Sequence, residues 1–162
     1  IMAARKPTLE DLKKVSLFKG SSVALLEEVQ ASLQIRQVKQ GDYVCRKGDI
    51  PKEMYFILDG VFDILTGDGK KVGDCSTGGF FGEMGLLYTM PRSASVHCTS
   101  ETATLAVFAQ TDFNRIRGNH LELAQELERT ANDRFGRFKR ELAGLGQLRY
   151  VESEFTGEKL EL

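Results

Sequence analysis

Two periodicities divide the chain. Up to Leu33 and again after Thr111, apolar residues recur every three or four positions, while between Gln34 and Phe108 they recur every two. Thr8-Leu9-Glu10-Asp11 reads as a helix start with an acid at the third helical position. Ser22 is placed to cap a second helix carrying Val23, Leu25, Leu26, Val29 and Leu33. Strands are predicted around Ile35 to Val38 and over 43–46, 54–58, 61–65, 71–75, 95–99 and 104–108. Gly41-Asp42, Gly48-Asp49, Asp59-Gly60 and Gly67-Asp68-Gly69 separate them, residues that tolerate the backbone of tight turns. Past Gly118-Asn119, the spacing of Leu123, Leu127, Ala131, Phe135, Phe138 and Leu142 predicts one amphipathic helix.

About eight short strands flanked by helices and interrupted by one small helix predict an α+β domain built on an antiparallel jelly roll. The expected divisions are an N-terminal helical segment over 1–33, a β-roll over 34–109, C-terminal helices over 110–142 and a frayed tail over 143–162, where glycine and polar residues lack periodicity. The length of 162 residues with 41% hydrophobic content suits one core rather than two. A net charge of −1 provides no global field to recruit nucleic acid or an anionic membrane surface. Cys45, Cys75 and Cys98 are odd in number and widely spaced, which disfavours a disulfide framework and a zinc site and fits a reducing compartment. No apolar run approaches the roughly 20 residues that cross a bilayer, so a soluble domain is expected. The isoleucine ahead of Met2 reads as a piece of a longer protein.

The densest chemistry lies in Phe81-Gly82-Glu83-Met84-Gly85-Leu86-Leu87-Tyr88-Thr89-Met90-Pro91-Arg92-Ser93-Ala94-Ser95-Val96. Gly82 and Gly85 let backbone approach a ligand closely, and the amides opening a helix there have no partner within it. An anion suits that end. Arg92 offers a planar fork to two phosphate oxygens, worth about 1.5–3 kcal/mol when charge-assisted and shielded. Glu83 only accepts, so a sugar hydroxyl is its natural partner.

This segment resembles the phosphate-binding cassette of cyclic nucleotide-binding domains, with the family's Phe-Gly-Glu, Leu-Leu and Arg-Ser-Ala-Ser-Val elements in order. Gly41-Asp42-Tyr43, Gly48-Asp49, Met54-Tyr55-Phe56-Ile57 and Asp59-Gly60 are similar to the family's turn signals. The resemblance implies a regulatory ligand, cAMP or cGMP, and no metal. It implies that Arg92 holds the phosphate, that Glu83 accepts the ribose 2′-hydroxyl, and that Phe81 and the backbone of Gly82, Met84, Gly85 and Ala94 complete the cassette. Ser93 follows the phosphate arginine, where a hydroxyl can also bridge to a guanine amino group, so cGMP is tolerated and cAMP is not excluded. Ala131 to Phe138 resembles the lid helix of hyperpolarisation-activated channels, which places Arg134 and Phe138 where that family touches the purine. Ile64, Val72 and Cys75 line the base side or are ordinary core. Gly136 costs that helix about 1 kcal/mol relative to alanine.

The implied function is a non-enzymatic sensor on the cytoplasmic side of an ion channel or channel-like transporter, with cAMP favoured and homo-oligomerisation left to the host protein. Pro91 before Arg92 is as in kinase regulatory subunits, which keeps that host as the alternative, beside an interaction module with a degenerate pocket. A metal-dependent cupin enzyme would need more than His97 and His120, which stand in different elements. A bacterial transcription regulator would need a recognition helix that the residues after Leu142 do not encode.

Overall fold

In a computed structural model, described for residues 6–88 and 90–144 without the side chains of 138, 139 and 141–143, helices flank two four-stranded antiparallel sheets. The chain opens with α1 (Leu9–Lys13), a 3-10 turn (Ser16–Phe18) and α2 (Val23–Ser32). Thr8 caps α1 in a reciprocal capping box with Asp11, and the Ser22 side chain accepts from the Leu25 amide at the start of α2. The strands are β1 (Gln34–Lys39), β2 (Tyr43–Cys45), β3 (Glu53–Asp59), β4 (Val61–Leu65), β5 (Lys71–Ser76), β6 (Phe80–Phe81), β7 (Ser95–Cys98) and β8 (Thr102–Ala109). The short helix α3 (Glu83–Tyr88) lies between β6 and β7, and α4 (Gln110–Arg117) and α5 (Leu121–Gly144) close the described chain. The predicted pause at Gly118-Asn119 is the break between the last two helices.

One sheet has the order β1-β8-β3-β6 and the other β2-β7-β4-β5, the two-sheet arrangement expected of a jelly roll. Alternation along β3 and β8 explains how the first sheet serves two cores. Tyr55, Ile57, Leu105 and Val107 face the second sheet with Phe62, Val96 and Cys98. Met54, Phe56, Ala106 and Phe108 face the helices and meet Leu12, Phe18, Leu25, Val29, Phe113 and Ile116. Both faces of these central strands are therefore buried, as period-two packing between a sheet and a helical layer requires. Leu123, Leu127 and Ala131 bury the first half of α5. Its hydrophobic stripe carries the helix across α3 and β5 towards the cassette.

The strand β6 is only two residues long and was not among the predicted strands. It exists because Tyr55 pairs with Phe81 and Phe56 with Phe80, a tertiary pairing that no local periodicity encodes. Its two rings then split between the cores, Phe80 towards the helices and Phe81 between the sheets.

Candidate functional site

Beta-strands β4 and β5, the turn from Phe80 to Gly82, α3, the segment 90–94 and α5 enclose a cavity of about 650 Å³. Of the residues named from the sequence, Ile64, Val72, Cys75, Phe81, Gly82, Glu83, Met84, Gly85, Arg92, Ser93, Ala94 and Arg134 all line it. The side chain of Phe138 lies outside the described residues.

Arg92 is buried, 8% exposed, and held from several directions. Its backbone is pinned by hydrogen bonds with the loop after β2: the Arg92 amide donates to Asp49 O and the Gly48 amide to Arg92 O, both at 2.8 Å. Its Nη1 donates to Gly82 O at 2.9 Å and its Nη2 to Glu53 O at 2.5 Å, while its Cζ lies 5.7 Å from the centre of the Tyr55 ring. A guanidinium carries five N–H donors, so these bonds aim the group and leave donors for an anion. The carbonyl of Glu53 is placed by the pairing of β3 with β8, where Glu53 stands opposite Ala109, and the Glu53 side chain accepts from Tyr55 Oη at 2.8 Å and pairs with Arg36 at 3.0 Å. This supporting layer was not read from the sequence, since its members Tyr55, Glu53 and Arg36 stand 37 to 56 positions from Arg92.

Gly82 has φ +86°, and a Cβ there would stand 2.8 Å from Arg92 Nη1. Glycine at this turn thus serves both the left-handed backbone and the close approach of the guanidinium. Glu83 opens α3 and is 2% exposed. The cation against its carboxylate is not Arg92 but Arg134 of α5, whose Nη1 lies 2.9 Å from Glu83 Oε1. The same Nη1 donates to Phe80 O at 2.6 Å, and the guanidinium sits 4.2 Å from the Phe80 ring centroid.

Arg137 and Arg140 also line the cavity, one and two turns beyond Arg134 on the same helix face, a spacing visible in the sequence but not singled out there. The opposite wall is apolar, formed by Ile64, Val72 and Cys75. Burial pushes the Cys75 thiol from 9.0 up to about 12. At pH 8 that makes its thiolate about a thousandfold scarcer than for the ordinary thiol. Alkylation of Cys75 by iodoacetamide, followed by mass spectrometry, is expected to run at least about a hundredfold slower in folded than in denatured protein. Equal rates would contradict an apolar wall at this position. Among the described residues there is no group of three or more His, Cys, Asp or Glu side chains able to hold a metal ion, and no helix long and apolar enough to cross a membrane.

The chemistry on offer is therefore a buried guanidinium for an anion, a buried carboxylate for a hydroxyl, and an apolar wall for a flat ring. Comparison with known families matches residues 35–120 to the cyclic nucleotide-binding domain. The chain is 35% identical over 122 residues to a cyclic nucleotide-gated potassium channel of Rhizobium etli, covering 75% of this chain and 34% of the channel. It is 34% identical over 112 residues to the cAMP-dependent protein kinase type II regulatory subunit of Drosophila melanogaster, covering 69% of this chain and 29% of that subunit. It thus spans about a third of the length of each of these relatives. The regulatory domain of Toxoplasma gondii PKA, solved with cAMP, shares the fold with a TM-score of 0.70 at 22% identity, over 77% of this chain and 48% of that one.

Proposed function

The chain belongs to the cyclic nucleotide-binding domain family, and from that premise we propose that it binds cAMP in preference to cGMP, phosphate against Arg92, to regulate an ion channel or channel-like transporter. Domains of this family in channels and kinase regulatory subunits are non-enzymatic sensors. The observation that carries the reading is the cavity closed jointly by the cassette and α5, with a buried arginine and a buried carboxylate on the cassette side.

Nucleotide recognition follows from the three walls. The cyclic phosphate takes the remaining Arg92 donors, the ribose 2′-hydroxyl donates to Glu83, and the purine lies along Ile64, Val72 and Cys75 beneath α5. An apolar wall favours adenine, because guanine carries one polar exocyclic group more, its 2-amino group, and burying an unpartnered polar group costs about 1–3 kcal/mol. The Ser93 hydroxyl can serve a guanine amino group, which keeps cGMP as the weaker ligand. Signalling requires different affinity for lid-open and lid-closed forms, since a ligand binding both equally shifts nothing. The channel relatives support a channel host on the cytoplasmic side of a membrane. The Drosophila relative supports a kinase regulatory subunit as the second reading.

Thermal denaturation with added ligand tests the binding. At a concentration one hundred times its Kd, cAMP should add about 2.7 kcal/mol to the stability and raise Tm by several degrees. Linear 5′-AMP, with a dianionic phosphate and no ring to fit the cassette, should raise it far less. No shift with either cyclic nucleotide, or an equal shift with 5′-AMP, would contradict the proposal.

A further inference from the structure

We propose that His120 is a proton-operated latch: its charged ring fastens the junction of α4 and α5 to α2, and loss of the proton loosens that fastening. The latch acts in the ligand-free protein, and only its effect on nucleotide affinity rests on the binding reading given above.

The backbone of His120 forms the joint. Its amide and that of Asn119 both donate to Ile116 O at the end of α4, at 3.0 Å, and its carbonyl accepts from the Leu123 amide in the first turn of α5 at 3.1 Å. The side chain, 15% exposed, stands between acids from two different helices. Nε2 meets Glu28 Oε2 of α2, and Nδ1 lies 3.3 Å from Glu122 Oε1 of α5. Glu28 Oε2 is buried and has no well-formed hydrogen bond among the described residues, so the charge on the His120 ring is what compensates it.

A carboxylate only accepts, whereas a neutral imidazole has one N–H and one lone pair. With both ring nitrogens facing carboxylate oxygens, a neutral ring donates to one and turns its lone pair on the other, while the imidazolium donates to both. The Glu122 carboxyl is held below the usual carboxylate range by a hydrogen bond from its own backbone, with a smaller contribution from the His120 ring, so it stays an acceptor while the ring changes charge. The other charges along this seam are engaged elsewhere or face solvent. On α4, Arg115 donates to Asp112 Oδ1 at 3.1 Å and to Ser32 Oγ at 2.9 Å, and the Arg117 guanidinium lies 5.7 Å from the Phe113 ring centroid. On α2, Glu27 precedes Glu28 and is exposed.

Two contacts four residues apart on α2 thus hold α4 and its end: Ser32 with Arg115, and Glu28 with His120. An arginine keeps its charge, whereas histidine is the side chain that changes charge between about pH 5 and 8. Beneath both contacts Leu25, Val29, Ile116 and Leu123 share one core, so losing the latch frees the joint without unfolding the helices. Residues of α5 line the cavity, and a freer joint lowers the share of chains with α5 in place over it.

Guanidinium denaturation of the ligand-free chain at pH 6 and pH 8 tests the latch in wild type, His120→Gln, Glu28→Gln and His97→Gln. The chain has two histidines, and His97 sits on β7 against the Tyr43 ring. Because the folded state holds the proton more firmly, stability should fall as pH rises: the unfolding equilibrium constant of wild type should grow by about threefold to tenfold from pH 6 to pH 8, in keeping with one hydrogen bond. His120→Gln and Glu28→Gln should flatten that rise to under about twofold, and His97→Gln should keep it. Amide hydrogen exchange of residues 119–124, corrected for its intrinsic pH dependence, should quicken in wild type at pH 8 and not in His120→Gln. A wild-type rise retained in His120→Gln, a rise lost in His97→Gln, or exchange that quickens evenly along the chain would overturn the latch.

The ligand arm is read separately. Wild type should bind cAMP about twofold to fivefold more tightly at pH 6 than at pH 8, and His120→Gln equally at both. Equal affinity of wild type at the two pH values would overturn the coupling of the joint to the cavity. Failure of every cyclic nucleotide to bind, with the ligand-free results intact, would remove the binding proposal alone and leave the latch standing.

Discussion

Replacement of Arg92 by alanine is expected to abolish measurable cyclic nucleotide binding while leaving a folded domain. The guanidinium is buried and pre-aimed by carbonyls of Gly82 and Glu53, so a phosphate meets donors that need no reorganisation. Two charge-assisted bonds at about 1.5–3 kcal/mol each amount to roughly a hundredfold to ten-thousandfold in Kd. The truncation also leaves those two carbonyls without their donor, costing about 1–3 kcal/mol of stability. Arg92→Lys retains charge but not the fork and should fall between wild type and alanine. Displacement of a fluorescent cyclic nucleotide, with circular dichroism as the check on folding, measures both effects. Wild-type affinity in a folded Arg92→Ala protein would remove Arg92 from the phosphate site.

The largest effect on stability is expected from Phe56→Ala. Phe56 is fully buried in the layer between the first sheet and the helices. Its ring centroid is 5.0 Å from that of Phe18 and 5.9 Å from that of Phe108, and Phe108 in turn lies 6.2 Å from Phe113. One row of rings thus joins the 3-10 turn, β3, β8 and α4. Removing the phenyl group from its middle should cost about 3–5 kcal/mol through lost burial and the cavity left behind, a large share of the 5–15 kcal/mol available to a typical domain. Phe56→Leu, closer in volume, should cost about 1.5 kcal/mol or less. Guanidinium denaturation should show a lower midpoint at unchanged slope; an unmoved midpoint for the alanine variant would contradict the central place of this ring.

Legibility of the fold and site from sequence follows the range of each interaction. Thr8 and Ser22 were readable as caps because the amides they accept from lie three residues away. The Gly-Asp turns were readable for the same reason: Asp42 Oδ2 accepts from the Lys39 amide and Asp49 Oδ2 from the Arg46 amide. The cassette was legible because its chemistry is packed into sixteen consecutive residues. Ile64, Val72 and Cys75 line the same cavity; Val72 and Cys75 stand three apart on β5, and both reach it because the pairing of β4 with β5 shifts register at Val72, between Ile64–Gly73 and Leu65–Lys71. The rest depended on pairings distant in sequence. The two-residue strand β6 comes into being only against β3, and the Glu53 and Tyr55 support behind Arg92 only once β3 lies under the cassette. Arg134 was legible as a residue of interest on the amphipathic last helix. Its pairing with Glu83 depends on how α5 crosses α3, and helical spacing does not encode that crossing.

Calorimetric titration of cAMP, and separately cGMP, into wild-type protein stripped of any nucleotide carried over from expression is the most direct measurement. Saturable binding of one nucleotide per chain, tighter for cAMP, is the expected result. Folded, stripped protein that gives no binding heat with either ligand at several temperatures would contradict the sensor function and leave a cassette kept for structure in a ligand-independent interaction module.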